Sequence, residues 1–121
     1  MLCINEKLTE KHKEDDRTVF LVSSDPSKGD RVADYITEKP WKWETGECVM
    51  VYDAIEVFFD LDAAKRYHEW ISYLPYPLYI LEATALAEEL RTACEFEFGG
   101  YTCTQAGYVR VTVTKNLGEG N

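Results

Sequence analysis

The sequence predicts an α+β fold: a single compact domain in which an antiparallel or mixed sheet of five to seven strands carries two helices packed on one face. Three observations predict it. Short runs rich in β-branched and aromatic residues recur between breaks containing Gly, Pro or Asp, the pattern of strands joined by tight connections. Two stretches, 60–74 and 82–94, instead repeat their apolar residues at helical spacing. The length of 121 residues, 45% of them hydrophobic, suits one ordinary globular domain. The expected organisation is a polar N-terminal arm over 1–17 that is able to stay mobile, a single domain over 18–115, and a frayed tail over 116–121.

Each element has its own reason. In the arm, four bases alternate with five acids and apolar residues are few. Thr18 to Ser24 reads as a strand with Val19 and Leu21 on one face and Phe20 and Val22 on the other, so both faces are apolar and the strand is central. Asp25-Pro26-Ser27-Lys28-Gly29-Asp30 is a loop, since Pro presets φ and Gly admits positive φ. Arg31 to Glu38 is open between a short helix and a strand, and Pro40 disfavours helix at Lys39. Thr45-Gly46-Glu47 suits a hairpin turn. Cys48 to Tyr52 and Ala54 to Phe59 are strands, with a bend near Asp53 that keeps this carboxylate out of an apolar face. Asp60 caps a helix carrying Ala63, Ala64, Tyr67, Trp70, Ile71 and Leu74 on its apolar side, and Pro75 and Pro77 stop it. Leu78 to Leu81 is a short strand. Ala83, Leu86, Ala87, Leu90 and Cys94 then follow the spacing of a second amphipathic helix. CEFEF, Gly99-Gly100 and YTCT form a hairpin. Gln105-Ala106-Gly107 reads as a turn, and Tyr108 to Thr114 as a final strand with Val109, Val111 and Val113 inward.

Charge is the most informative feature for function. Twenty-two acids against thirteen bases give a net charge of −9, which disfavours direct contact with nucleic-acid phosphates or anionic membranes. The excess is concentrated. Residues 46–62 hold Glu47, Asp53, Glu56, Asp60 and Asp62 without a base, and residues 76–98 hold Glu82, Glu88, Glu89, Glu95 and Glu97 against Arg91 alone. A solvated face explains such acids, and so does a surface that attracts a cationic partner. Trp41 and Trp43 lie two residues apart, on one side of any extended segment. With Tyr73, Tyr76 and Tyr79 they cluster near prolines, and Trp and Tyr dominate interaction hot spots.

Motifs for chemistry are few. Ser23-Ser24 lies outside any G-x-S-x-G context, and Ser27-Lys28-Gly29 falls short of a phosphate-binding loop. His68 sits within the first predicted helix, where a packed or surface role outweighs that of general base toward Cys48. Cys3, Cys48, Cys94 and Cys103 form no C-x-x-C pair and read as reduced apolar residues, without the paired spacing of a zinc site. No cofactor or metal site is therefore expected. Glu95 and Glu97 share one side of a predicted strand, as a catalytic carboxylate pair or as its wet face. No apolar run approaches bilayer-spanning length, and Met1 to Arg17 lacks the apolar core of a secretory leader, which sets the expectation of a cytoplasmic protein.

The stretch IEVFFDLDAAKRYHEWISYLPYPLYILEA, a strand, an Asp-led helix and a strand, resembles a segment of small ADP-ribosyltransferase-like proteins, and Glu95-x-Glu97 is similar to the acidic x-Glu element of that family. The resemblance implies an NAD-binding enzyme. The expectation given preference is a non-enzymatic protein-binding module that docks on a basic, nucleic-acid-binding surface of another protein. It would do so through Glu47, Asp53, Glu56, Glu88, Glu89, Glu95 and Glu97, with Trp41 and Trp43 as anchors. In size and acidity such a chain resembles phage or mobile-element accessory proteins, including anti-restriction and anti-CRISPR inhibitors. A third reading is a structural or assembly subunit that self-associates through the hairpin of residues 94–104.

Overall fold

The structure, a computed structural model, describes residues 2–5, 15–33, 37–39, 48–52, 54–98 and 100–119. Ten strands are present among them: β1 (Leu2–Asn5), β2 (Arg17–Ser23), β3 (Gly29–Val32), β4 (Thr37–Lys39), β5 (Cys48–Tyr52), β6 (Ile55–Phe58), β7 (Tyr79–Ala85), β8 (Leu90–Phe98), β9 (Tyr101–Tyr108) and β10 (Arg110–Asn116). The α-helix α1 (Leu61–Trp70) follows β6, and a single 3₁₀ turn, Ala87–Glu89, lies between β7 and β8. Seven strands form one sheet in the order β3-β10-β7-β2-β6-β9-β8, and β1-β5-β4 form a smaller one. The pairings are antiparallel throughout. β1 runs beside β8, which brings the two sheets together.

Chain connectivity forces the large sheet to roll. Four strand spacings separate β9 from β10 in the sheet order, about 19 Å if the sheet were flat. Yet only Val109 stands between Tyr108, the last residue of β9, and Arg110, the first of β10, and two Cα steps reach at most about 7.6 Å. β9 and β10 are therefore one strand, bent at Val109, whose halves pair with opposite flanks of the sheet. The partner strand is bent at the same level, because Leu86 to Glu89 carry the chain from β7 into β8. A long kinked hairpin thus wraps β2 and β6 and closes a small barrel. The bend is fully bonded: Val109 N–H donates to the Glu89 carbonyl at 2.8 Å, and the Val109 carbonyl accepts from Ala33 N–H at 2.9 Å. Asp16 adds a clamp, its Oδ1 accepting from Ala87 N–H at 2.8 Å.

The barrel interior is one apolar cluster drawn from β10, β7, β2, β6, β9 and β8. A barrel of so few strands has little internal room, and its lining is correspondingly small: Ala83, Ala85, Ala93 and Ala106 are fully buried among Val19, Val57, Leu81 and Val111. Among the described residues, Tyr108 is the one large ring fully enclosed there. Its hydroxyl is buried without a hydrogen-bond partner, and burial pushes its phenol up to about 12, against a lowering by Arg17 and a further raising by Asp16. On the outer face, α1 packs Ala63 and Ala64 against Phe58 and Ile80, with Phe20, Val22 and Tyr67 around them. β2, between β7 and β6, is apolar on both faces as expected, since it lies between the barrel interior and the helix.

Several expectations are corrected. There is one α-helix among the described residues rather than two. The stretch 82–94, with helical spacing, is the end of β7, the 3₁₀ turn and the start of β8. Ala83 and Ala85 point into the barrel from β7, and Leu90 and Ala93 from β8. The turn and a register shift between Leu90 and Thr92 convert strand alternation into apparent helical steps. Long-range pairing with β2, β9 and β10 overrides that local pattern. Gln105-Ala106-Gly107 is not a turn but strand, paired with both β6 and β8. Leu2–Asn5, within the segment expected as a polar arm, pair with β5. In the segment expected to fray, Leu117 N–H donates to the Ile80 carbonyl and Ile80 N–H to Gly118, both at 2.8 Å. The helix begins where expected, with Asp60 as N-cap accepting from Asp62 N–H at 2.9 Å. The hairpin is also as expected, turning at Gly100 with φ of +77°. The bend near Asp53 and the turn at 45–47 lie outside the described residues, although β5 and β6 do belong to different sheets.

Two outcomes follow from the bend and the barrel interior. Asp16→Ala removes the acceptor for Ala87 N–H and lowers unfolding free energy by about 1 kcal/mol, as loss of a cap does, whereas Asp16→Asn retains most of it; urea unfolding measures both. Tyr108 stays neutral in the folded chain up to about pH 12, while the unfolded phenol ionises near 10. Between those values the unfolded state releases a proton that the folded state keeps, so the contribution of Tyr108 to stability is constant below pH 10 and is lost as pH rises from 10 to about 12. Tyr108→Phe removes that alkaline loss. At neutral pH it leaves melting temperature equal or higher, because the deleted hydroxyl has no partner.

Candidate functional site

Toward the tip of the β8–β9 hairpin, the face that forms the barrel interior opens to solvent. Ala93 pairs with Ala106 at its closed end, and the next positions on the same face are Glu95 opposite Thr104 and Glu97 opposite Thr102. Both glutamates are exposed. Glu95 borders an open groove of about 410 Å³ that is also lined by Arg17, Phe59, Asp60, Tyr101, Thr102, Cys103 and Thr104. Strand alternation places the two carboxylates side by side, and the hairpin register places the threonine hydroxyls next to them. Arg17, at the start of β2, lays its guanidinium 4.1 Å from the centroid of the Phe59 ring. Asp60 accepts from the Tyr101 hydroxyl at 3.5 Å. Burial first, and then the charges of Asp60 and Asp62, push the Tyr101 phenol up against the opposing pull of Arg66. The groove thus carries a negative potential on the Asp60 side as well as the Glu95 side.

Glu56, Glu88 and Glu89 do not join this pair. Glu56 shares the outer, helix-covered face with Phe58, and the buried Gln105 donates Nε2 to its Oε2 at 3.4 Å. Glu88 and Glu89 belong to the 3₁₀ turn at the bend, the far end of β8 from Glu95; Glu88 is exposed and Glu89 is intermediate. They border a separate groove with Asp16, Leu86 and Arg91. Glu47, Asp53, Trp41 and Trp43 lie outside the described residues.

Other candidates have structural employment. The His68 Nε2 lies 2.9 Å from the Leu78 carbonyl, tying α1 to the start of β7. Ser23 Oγ accepts from Asp25 N–H. The loop that carries Ser27-Lys28-Gly29 is folded around Asp25, which accepts from Ser27 N–H and from Arg31 Nη1 at 2.8 Å. Arg31 also donates to the carbonyls of Asp25 and Ser27. Bonds from Ser27 and then Arg31 hold the Asp25 carboxyl below the ordinary range. Among the described residues no group of three or more His, Cys, Asp or Glu side chains could hold a metal ion.

A second surface was only partly legible. Trp70, Tyr73 and Tyr76 are 53%, 80% and 50% exposed where α1 gives way to the turn before β7. Tyr73 and Tyr76 stand out in the sequence beside Pro75 and Pro77. Trp70 reads there as part of the buried helical stripe, but it lies past the sheet contact made by Ala63 and Ala64. Rings run outward from the core: Phe58 to Tyr67 with centroids 5.2 Å apart, and Tyr67 to Trp70 at 6.2 Å. Burial first, and then the charges of Glu56 and Tyr73, push the Tyr67 phenol up. The only sequence signal for this grouping is the spacing 67, 70 and 73, which places successive rings on neighbouring parts of one helical surface.

Comparison with protein-family models, with curated proteins and with solved structures gives no match. The chemistry open to the two surfaces is therefore read from their own side chains: carboxylates and hydroxyls in the groove, and exposed aromatic rings at the end of α1.

Proposed function

We propose that this protein is a non-enzymatic binding module that docks on a basic surface of another protein, one used to hold nucleic acid, and inhibits it by occupying that surface. The observation that carries the proposal is the common side of Glu95 and Glu97 at the exposed end of β8, with Glu95 and Asp60 lining one open groove. Carboxylates spaced along a strand match the cations that a phosphate-binding groove presents, and a net charge of −9 steers such an encounter from a distance.

The test has two stages. Affinity capture from host lysate at low and high salt identifies a basic, salt-sensitive partner, and that partner's nucleic-acid binding is then measured with and without the chain. The chain is expected to displace nucleic acid. The double substitution Glu95→Lys with Glu97→Lys is expected to slow association about tenfold or more at low salt and to flatten its salt dependence. Capture insensitive to salt and to this charge reversal would end the proposal. A rise in melting temperature with NAD would support the enzyme reading instead.

A further inference from the structure

We infer that the loop after α1, residues 71–77, is the contact through which two copies of this chain form a weak, two-fold symmetric dimer. The inference goes beyond the reading above and does not rest on it. It uses none of the acids on β8, and it predicts the opposite response to salt.

The observations lie in one segment. From Trp70 to Leu81 twelve consecutive residues carry no charge, in a chain whose net charge is −9. The end of this segment enters the fold, where Leu78, Ile80 and Leu81 are buried. The part before it is turned out. Tyr73 is 80% and Tyr76 50% exposed, and Pro75 and Pro77 on either side of Tyr76 are exposed too. The loop is held at both ends. Ser72 Oγ donates to the Glu69 carbonyl at 2.7 Å, Leu74 N–H donates to the Ile71 carbonyl at 3.2 Å, and His68 Nε2 lies 2.9 Å from the Leu78 carbonyl. Proline fixes φ at two positions between these anchors. Rings displayed on such a backbone lose little freedom when they are covered. The two prolines also lack N–H groups, so an apolar cover leaves no donor stranded there.

Three arguments make the occupant a second copy. The first is self-complementarity. Proline-rich segments dock on aromatic surfaces, and this loop carries both the rings and the prolines. In a two-fold dimer a patch meets itself, so the tyrosines of each copy can cover the prolines of the other. The second is charge. Two copies at −9 repel, and contact through the acidic stretches would bring carboxylates face to face. The uncharged loop lets the copies touch while those carboxylates stay in water. It offers a cationic partner no charge to pair with. The third is area. A tyrosine buries about 150–250 Å², so the exposed parts of the two rings supply on the order of 250 Å² per copy. That is well below the roughly 800 Å² a side of a stable complex. The dimer is therefore weak and forms only in concentrated solution.

Sedimentation equilibrium of the full chain tests this from dilute to millimolar concentration. It is run at about 10 mM and about 1 M NaCl, between which the Debye length falls from about 30 to about 3 Å. The average mass is expected to rise with concentration from that of one chain toward that of two. Screening of the mutual repulsion should lower the dissociation constant about threefold or more at the higher salt. Tyr73→Ala and Pro75→Ala should each weaken the dimer about fivefold or more, with melting temperature unchanged because both positions are exposed. Tyr73→Phe keeps the ring and should keep the dimer. Glu95→Gln with Glu97→Gln should also leave it intact. A chain that stays single at both salts overturns the inference, and so does a dimer that weakens as salt rises or survives both loop variants to alanine. Loss of the dimer in the Glu95 and Glu97 variant, with the loop variants unaffected, overturns it in favour of contact through the 94–104 hairpin.

Discussion

A one-residue link sets the shape of this molecule. Val109 joins two strands that lie four places apart in the sheet order, and a covalent chain that short cannot cross a flat sheet. Rolling the sheet is the geometric consequence. The bend also leaves no backbone group of Val109 unsatisfied, since Glu89 accepts its N–H and Ala33 donates to its carbonyl. Asp16 fixes the neighbouring turn from outside through Ala87. The kink is held by bonds to two other parts of the chain.

The composition of the interior follows from that closure. A narrow barrel admits alanine and valine along most of its lining, and Ala83, Ala85, Ala93, Ala106 and Val57 fill those positions. Tyr108 stands out because its ring fills the volume beside the bend while its hydroxyl gains no partner. Apolar burial of the ring, about 25 cal/mol per Å² of area removed from water, offsets the desolvation of one hydroxyl. Closure also separates the two faces of the sheet chemically. Along β8 the inner face changes from Ala93 to Glu95 and Glu97 where the barrel opens, so the groove is the wet continuation of the core. On the outer face α1 covers Phe58 and Ile80 through Ala63 and Ala64, and ends at the exposed Trp70.

This separation explains why the acids do not form one patch. Consecutive acids in the sequence alternate between faces or fall on opposite ends of a strand once the chain is rolled. Glu95 and Glu97 stay together because they are two residues apart on one strand, a relation that strand geometry preserves. Glu56 and Glu88 are parted from them by strand parity and by the length of β8.

Local rules sufficed wherever neighbours in sequence determine the outcome. Asp60 as a helix cap, the apolar duality of β2, the Gly100 hairpin and the common side of Glu95 and Glu97 were all legible in the residues themselves, because each depends on a few consecutive side chains and the backbone between them. Tertiary pairing decided the rest. The stretch 82–94 has helical spacing only because a turn and a register shift interrupt two strands, and Gln105-Ala106-Gly107 looks like a turn only because its residues are small, which barrel packing requires. The grouping of Glu95 with Arg17 and Asp60 joins residues distant in sequence. Such contacts exist only after the sheet rolls, and no periodicity along the chain encodes where it will bend.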